Sequence, residues 1–183
     1  MKQIILLASL FFVGHFTYGQ DDGPKEITPQ VLEKFKADIE KEVPSFRQKL
    51  SDEGFSEDEV EFSSDTFRIK QLVSKRMDID YSTAGMNITI DEMTSSYDKL
   101  MNKYYNKLLK ALKPEDKKAL VTTQKAWLAY RDAEAGLIST MTKEVYSGGG
   151  TIQSNIATSA YADLVVNRTI EIFNYYDNLV KDQ

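Results

Sequence analysis

Apolar side chains recur at intervals of three and four residues along most of this chain, the spacing that places them on one face of an α-helix. Proline and glycine divide the pattern into segments. Pro29 and Pro114 stand where a first helical turn tolerates them, and three consecutive glycines, Gly148 to Gly150, suit the end of a helix. The pattern therefore predicts an all-α chain whose helices are set by these breaks.

The breaks predict two N-terminal helices followed by three long ones. The first helix begins after the cap residue Thr28, and Pro44 should kink or end it near Val43. We expect a linker at residues 51–65, a second helix over 65–76 and irregular chain over 78–89. The long helices, over 90–112, over 114–147 and from Thr151 onward, should hold the core. Short connections make such helices antiparallel neighbours, so the predicted fold is an antiparallel helical bundle with three long core helices plus N-terminal helices.

The first nineteen residues read as a secretory signal. Lys2 precedes an apolar run, Ile4 to Val13, that is shorter than the ~20 residues needed to span a membrane, and small residues follow it up to Gly19. We expect residues 1–19 to be removed, residues 20–77 to form an N-terminal helical extension and linker, and residues 78–183 to form the main helical domain. The mature protein is then periplasmic or secreted, with no membrane insertion.

Residue types limit the chemistry. The only histidine, His15, lies in the predicted signal, and the chain has no cysteine. Nucleophiles activated by histidine, thiolates and the usual zinc, copper and haem ligands are therefore excluded from the mature chain. An enzyme built on carboxylates alone stays open, but no calcium loop, P-loop or dinucleotide fingerprint supports one. We expect no catalytic residue, no metal and no cofactor.

The charge of the mature chain is negative. The 23 Lys and Arg residues include Lys2 of the signal and stand against 28 Asp and Glu residues, which leaves a mature net charge of about −6. Such a chain is repelled by nucleic acid and attracted by a basic partner. The same charge is also what keeps an exported protein soluble.

Two opposite charges lie inside an apolar helical stripe. Arg131 and Glu134 share a sector of the helical wheel with Trp127, and Arg168 projects from the apolar face of the last helix with Glu171 at its margin. Charges in such places are tolerated when paired, so one interpretation is an ion-pair cluster of Arg131, Glu134, Arg168 and Glu171 that fixes helix packing. The other is a pocket in which the two arginines hold an anionic ligand or cell-wall fragment. Asp132 lies nearer solvent and is the candidate contact with a protein partner.

A family resemblance is carried by these residues. The segments Ser82 to Asn87, Asp98 to Asn102 with Tyr105, Gln124 to Glu134, and Gly149 to Thr151 with Arg168 resemble the LprI-like lysozyme inhibitor family over about residues 78–176. The resemblance implies a small exported helical domain that binds without catalysis, with lysozyme as a possible protein partner. The placement of the charges in apolar stripes favours a mainly structural role for the motif residues, namely Asn102, Gln124, Trp127, Tyr130, Arg131, Glu134 and Arg168.

The chain departs from the family pattern at its cysteines. Relatives typically carry cysteine where this chain has Thr89, Ala135 and Ala160. A disulfide contributes ~2–4 kcal/mol, so its absence places more of the stability on packing and ion pairs. Residues 28–76 lie outside the resemblance, and they either pack onto the three-helix core or form a mobile arm.

Overall fold

The computed structural model describes residues 26–181, so the predicted signal and residues 20–25 lie outside the described residues. Within that range every regular element is an α-helix, which confirms the predicted fold class. In chain order the elements are α1 (Pro29–Asp52), α2 (Glu57–Met77), α3 (Thr83–Ala111), α4 (Lys117–Met141), the short α5 (Glu144–Ser147) and α6 (Ile152–Lys181). No helix in this range is long and apolar enough to cross a membrane.

The N-terminal helices are longer than predicted. Helix α1 starts after the Thr28 cap as expected but continues through Pro44, because burying Ile39 and Val43 outweighs the hydrogen bond that the proline removes. The predicted linker over 51–65 is largely helix. Helix α2 begins at Glu57 through a capping box, in which the Ser56 side chain and the Glu59 side chain each bind the other's backbone N–H.

Helix α3 begins seven residues before the predicted position at residue 90. The Ser82 hydroxyl accepts the Gly85 N–H (3.0 Å) and itself donates to Asp80 (2.6 Å). A Cβ on Gly85 would lie 2.1 Å from the Asp80 carboxyl carbon. Glycine at this position therefore leaves room for the Asp80 carboxylate that binds Ser82 at the start of α3. Thr89, further along α3, is buried and accepts a hydrogen bond from Arg76 (3.3 Å).

The core lies mainly between α3 and α6. Thr169 of α6 donates to the Tyr97 carbonyl of α3 (3.1 Å), and further along both helices Tyr104 meets Phe173 edge to face at 5.0 Å. The contacting residues of the two helices advance in the same direction, so α3 and α6 run parallel. Helix α4 lies between them in the chain and runs antiparallel to α6. The three long helices share this core unequally, because α4 contributes only Leu120 among its buried residues.

The N-terminal helices pack onto the core, which decides between the two alternatives for this region. Phe62 of α2 stacks on Phe173 of α6 with ring centroids 3.9 Å apart, and Val60 beside it is almost fully buried. Helix α1 in turn packs antiparallel on α2, where Phe46 stacks on Phe67 at 4.4 Å. Residues 28–76 are therefore a structural part of the bundle.

Glycine ends the α4–α5 segment, as the sequence predicts. The predicted helix over 114–147 is divided, since α4 ends at Met141 and α5 resumes at Glu144. Gly148 then adopts a left-handed conformation (φ 78°), and its N–H binds the Glu144 carbonyl. This turn brings the chain back to start α6.

Candidate functional site at the junction of three helices

Arg168 ties α6 to α4 at the centre of the family motif. Its side chain is only 5% exposed, its Nε donates to Gln124 Oε1 of α4 (3.1 Å), and its Nη1 donates to Glu171 (3.0 Å). Its Nη2 has no hydrogen-bond partner within the described residues. The half-exposed Glu171 neutralises a guanidinium that would otherwise be costly to bury.

Trp127 lies between two arginines. Its indole ring has the Cζ of Arg168 at 5.9 Å and the Cζ of Arg131 at 5.5 Å from the ring centroid. The ring is half-buried and packs against the edge of the α3–α6 core. Cation–π attraction of this kind stabilises both guanidinium groups beside an apolar surface. Trp127 thus connects the buried Arg168 to the more accessible Arg131.

Arg131 holds Asp132 at the surface. The Nε and Nη2 atoms of Arg131 both donate to Asp132 Oδ1, at 2.9 and 2.7 Å, and the Asp132 side chain is 67% exposed. This hydrogen bond raises the pKa of Arg131, and the nearby Tyr161 and Asp98 act in the same direction. Asp132 is therefore near solvent, as predicted, but it is also the ion-pair partner of Arg131.

A groove of about 530 Å³ adjoins Arg131 between α3, α4 and α6. The residues that line it are Asp91, Thr94, Ser95, Asp98, Lys99, Arg131, Tyr161 and Val165. Asn102, one turn along α3, donates to both the Asp98 carboxylate (3.1 Å) and the Asp98 carbonyl (2.9 Å). Residues of three helices thus line the groove, and Arg131 is the motif residue that borders it, with Asp132 beside it.

The predicted four-residue charge cluster does not form. Arg168 and Glu171 pair as expected, but Arg131 binds Asp132 instead of Glu134, because Asp132 can fold back along the exposed side of the same turn. No ion pair forms at Glu134 among the described residues. Tyr130 also lies outside the convergence, with 52% of its surface exposed. The structure therefore brings together Gln124, Trp127, Arg131 and Arg168. Asn102 contacts Asp98 instead, and Tyr130 and Glu134 lie apart.

The contacts do not favour an anion pocket built on both arginines. Arg168 is buried and absent from the groove lining, and each guanidinium already holds a carboxylate. Asp91 and Asp98 add two negative charges to the groove itself. Lys99 and Arg131 balance these two charges within the lining, so the groove carries no excess positive charge that would attract an anionic ligand.

Sequence reasoning missed three residues of the groove, Asp91, Asp98 and Tyr161, as contact candidates. Asp98 was recognised only as part of the family motif. The spacing of Asp98 and Asn102, four residues apart on α3, could have indicated that Asn102 holds the Asp98 carboxylate, since such pairs interact. Nothing in the sequence shows that Arg131, thirty-three residues further on, lies opposite them. In the described part of the chain, no cluster of acidic, histidine or cysteine side chains is arranged to hold a metal ion.

Comparison with known proteins identifies one family. The family model described as "Lysozyme inhibitor LprI" matches residues 74–172, which is more than half of the chain and includes every motif residue discussed above. No curated protein and no solved structure matches the chain significantly. The matched segment runs from the end of α2 through α3, α4 and α5 and ends at residue 172, within α6. It contains every residue that lines the groove.

Proposed function

The chain belongs to the LprI lysozyme inhibitor family, and from this we propose that it is an exported, non-enzymatic binding protein that inhibits a basic envelope-degrading enzyme of the lysozyme type. Family membership is the observation that carries the proposal. The net charge of −5 for the full sequence supports it, because an acidic protein is steered towards a basic one.

We place the contact at Asp132 and Asp98, on two sides of Arg131. Both Arg131 donors go to Oδ1 of Asp132, which leaves Oδ2 to accept a hydrogen bond from a partner. Arg131 is itself held over Trp127, and Asn102 holds Asp98. The two carboxylates are thus fixed before binding, which lowers the entropy cost of meeting a cationic surface.

The test is a titration of lysozyme against the mature protein, with lysis of a cell-wall suspension as the readout. We expect inhibition that weakens as salt is raised, because the contact is ionic. The double variant Asp98→Asn, Asp132→Asn should raise the inhibition constant at least about 10-fold, since close charge pairs at interfaces contribute ~1.5 kcal/mol or more.

The matched control removes two acids elsewhere. Glu33→Gln with Glu42→Gln changes the net charge by the same amount on the exposed surface of α1, outside the groove. The inhibition constant of this control should stay within about 2-fold of that of the unmodified protein, because salt screens charges that lie far from the contact. Absence of inhibition at tens of micromolar removes the proposed function. Equal inhibition by the groove variant and the control removes the proposed contact.

A further inference from the structure

A pocket of about 360 Å³ opens where the start of α1, the end of α2 and the start of α3 meet. It shares no lining residue with the groove at Arg131. Its volume lies within the range of small-molecule sites in proteins. The residues that line it are Glu26, Ile27, Pro29, Leu32, Arg76, Asp80, Gly85, Ile88 and Glu92.

The positive charge of the pocket is the buried guanidinium of Arg76, whose side chain is only 8% exposed. Its Nε donates to Thr89 Oγ1 (3.3 Å), and its Nη1 pairs with the half-exposed Glu92 (2.7 Å). Within the described residues its Nη2 makes no hydrogen bond. Arg76 is therefore held in place by two partners and keeps a donor for a carboxylate inside the pocket.

A negative charge, the Asp80 carboxylate, is held beside it. Ser82 binds Asp80 Oδ1 through its N–H (3.1 Å) and its hydroxyl (2.6 Å), and Gly85 leaves room for the carboxylate. No described residue forms a salt bridge with Asp80, so Oδ2 can accept from a cation. The Asp80 N–H donates to the Arg76 carbonyl (2.9 Å), so one turn of chain carries both charges. Charges that are positioned before binding lower its entropy cost.

Apolar side chains form the remaining wall. Ile27, Pro29 and Leu32 come from the start of α1, and Ile88, which is 53% exposed, comes from α3. Such side chains favour an aliphatic group that leaves water to pack against them. The pocket therefore offers a cation, a carboxylate and an apolar wall to one small molecule.

We propose that this pocket binds a free α-amino acid with an aliphatic side chain. Its α-carboxylate accepts from Arg76 Nη2, its α-ammonium group donates to Asp80, and its side chain packs on the apolar wall. An anion alone would face the carboxylates of Glu26, Asp80 and Glu92, and an amine alone would leave the Arg76 donor unused. A zwitterion satisfies both charges.

Isothermal titration calorimetry of the mature protein with L-leucine, L-valine and L-alanine tests the proposal. We expect leucine to bind most tightly, with a dissociation constant below about 1 mM, because it carries both ionic groups and the largest aliphatic side chain of the three. Absence of binding by all three amino acids at about 10 mM overturns the proposal.

Two analogues of leucine test the two charges. Leucinamide keeps the ammonium group and lacks the carboxylate, whereas 4-methylpentanoate keeps the carboxylate and lacks the ammonium group. Each should bind at least about 10-fold more weakly than leucine, because one charged hydrogen bond is lost. If either analogue binds as tightly as leucine, the site selects a simple cation or a simple anion, and the proposal is wrong.

A variant with a matched control places the ligand. Asp80→Asn keeps an oxygen for Ser82 but loses the charge, so leucine should bind at least about 10-fold more weakly. Asp78→Asn removes an exposed acid two residues earlier, outside the lining, and should stay within about 2-fold of the parent. Equal affinities of these two variants would overturn the site.

A second pair of variants does not touch the start of α3. Ile88→Ala removes an exposed part of the wall and should weaken leucine binding at least about 3-fold, whereas Ile170→Ala, at an exposed position of α6, should leave it unchanged. Equal affinities here also overturn the site. The variant with both Asp98→Asn and Asp132→Asn should bind leucine like the parent, so this proposal and the proposed lysozyme inhibition can fail separately.

Discussion

Arg168 shows how a single residue gives the motif its shape. Its guanidinium is buried, and three different partners occupy it: the amide of Gln124, the carboxylate of Glu171 and the ring of Trp127. Only Glu171 lies on the same helix as Arg168, whereas Gln124 and Trp127 lie on α4. The residue therefore acts as a connector between α6 and α4, which have few other buried contacts.

Removing Arg168 should destabilise the fold much more than removing its acid. Arg168→Ala leaves Gln124 Oε1 without its donor and opens a cavity beside Trp127, so we expect a loss of about 2–4 kcal/mol. Glu171→Gln removes the countercharge but keeps a side-chain oxygen that can accept from Arg168, and the half-exposed position admits water, so it should cost about 1 kcal/mol. Urea unfolding followed by circular dichroism measures both. Because Trp127 is the only tryptophan, its fluorescence should shift in the first variant and stay unchanged in the second. Equal losses would contradict the connector role.

At the scale of elements, α2 is held to α3 by a row of ion pairs. Lys107 of α3 binds both Asp58 and Glu61 of α2, and Lys103 binds Glu61 (2.9 Å) and Asp65 (2.6 Å). Burial alone would raise the pKa of Glu61, but the hydrogen bonds from Lys107 and Lys103 outweigh it and lower that pKa below 4.5. Beneath the row lies the buried ring of Tyr104.

This row should make stability depend on pH. Because Glu61 has a lower pKa in the folded than in the unfolded chain, its contribution is complete above about pH 4.5 and is lost as the pH falls through the folded value. Lys107→Met should cost about 1–2 kcal/mol at pH 7, allowing for solvent screening, and much less at pH 3, where the acids are protonated.

The control for Lys107 lies on the same helix. Lys110→Met removes an exposed lysine of α3 and should cost less than ~0.5 kcal/mol at either pH. Denaturant unfolding at pH 3 and pH 7 compares the three proteins. A cost for Lys107→Met that is the same at both pH values would show that the ammonium group acts through the rings of Tyr104 and Tyr176, and would contradict the account by ion pairs with the acids.

For the whole molecule, the described chain should unfold as one cooperative unit. The N-terminal helices complete the core through the stack of Phe62 on Phe173 and the edge contact of Phe62 with Tyr104 at 5.3 Å. The family match begins only at residue 74, so this part of the core is supplied by residues outside the matched segment. We therefore do not expect the matched segment to be stable alone.

Phe62→Ala tests this cooperativity. It should lower the free energy of unfolding by about 2–4 kcal/mol, because a half-buried ring leaves a cavity between α2 and α6. The same loss should be seen by circular dichroism and by Trp127 fluorescence, although Trp127 is on α4. Phe55→Ala, at an exposed phenylalanine between α1 and α2, should cost less than ~0.5 kcal/mol. Non-coincident transitions would show that α1 and α2 unfold separately.

The sequence predicts where a helix lies wherever neighbouring residues decide its start, its end and its apolar face. The Thr28 cap, the stop at Gly148 and the apolar spacing of α6 follow from neighbouring residues, and so does the place of Arg168 on the apolar face of α6. Two local signals were misinterpreted. Pro44 was given too much weight against the apolar positions around it, and the capping box at Ser56 and Glu59 was not recognised. Both errors shortened helices without changing the fold class.

The sequence by itself determined that the chain is a bundle of helices, that residues 20–183 contain no histidine or cysteine, and that charges enter an apolar helical stripe. Only the tertiary structure decided which charges meet. It joined Arg168 of α6 to Gln124 of α4, set Asp98 of α3 near Arg131, and placed α3 parallel to α6. The physical reason is that a helix is specified by residues within a few turns, whereas pairing between helices depends on residues dozens of positions apart whose approach is fixed only when the whole core packs.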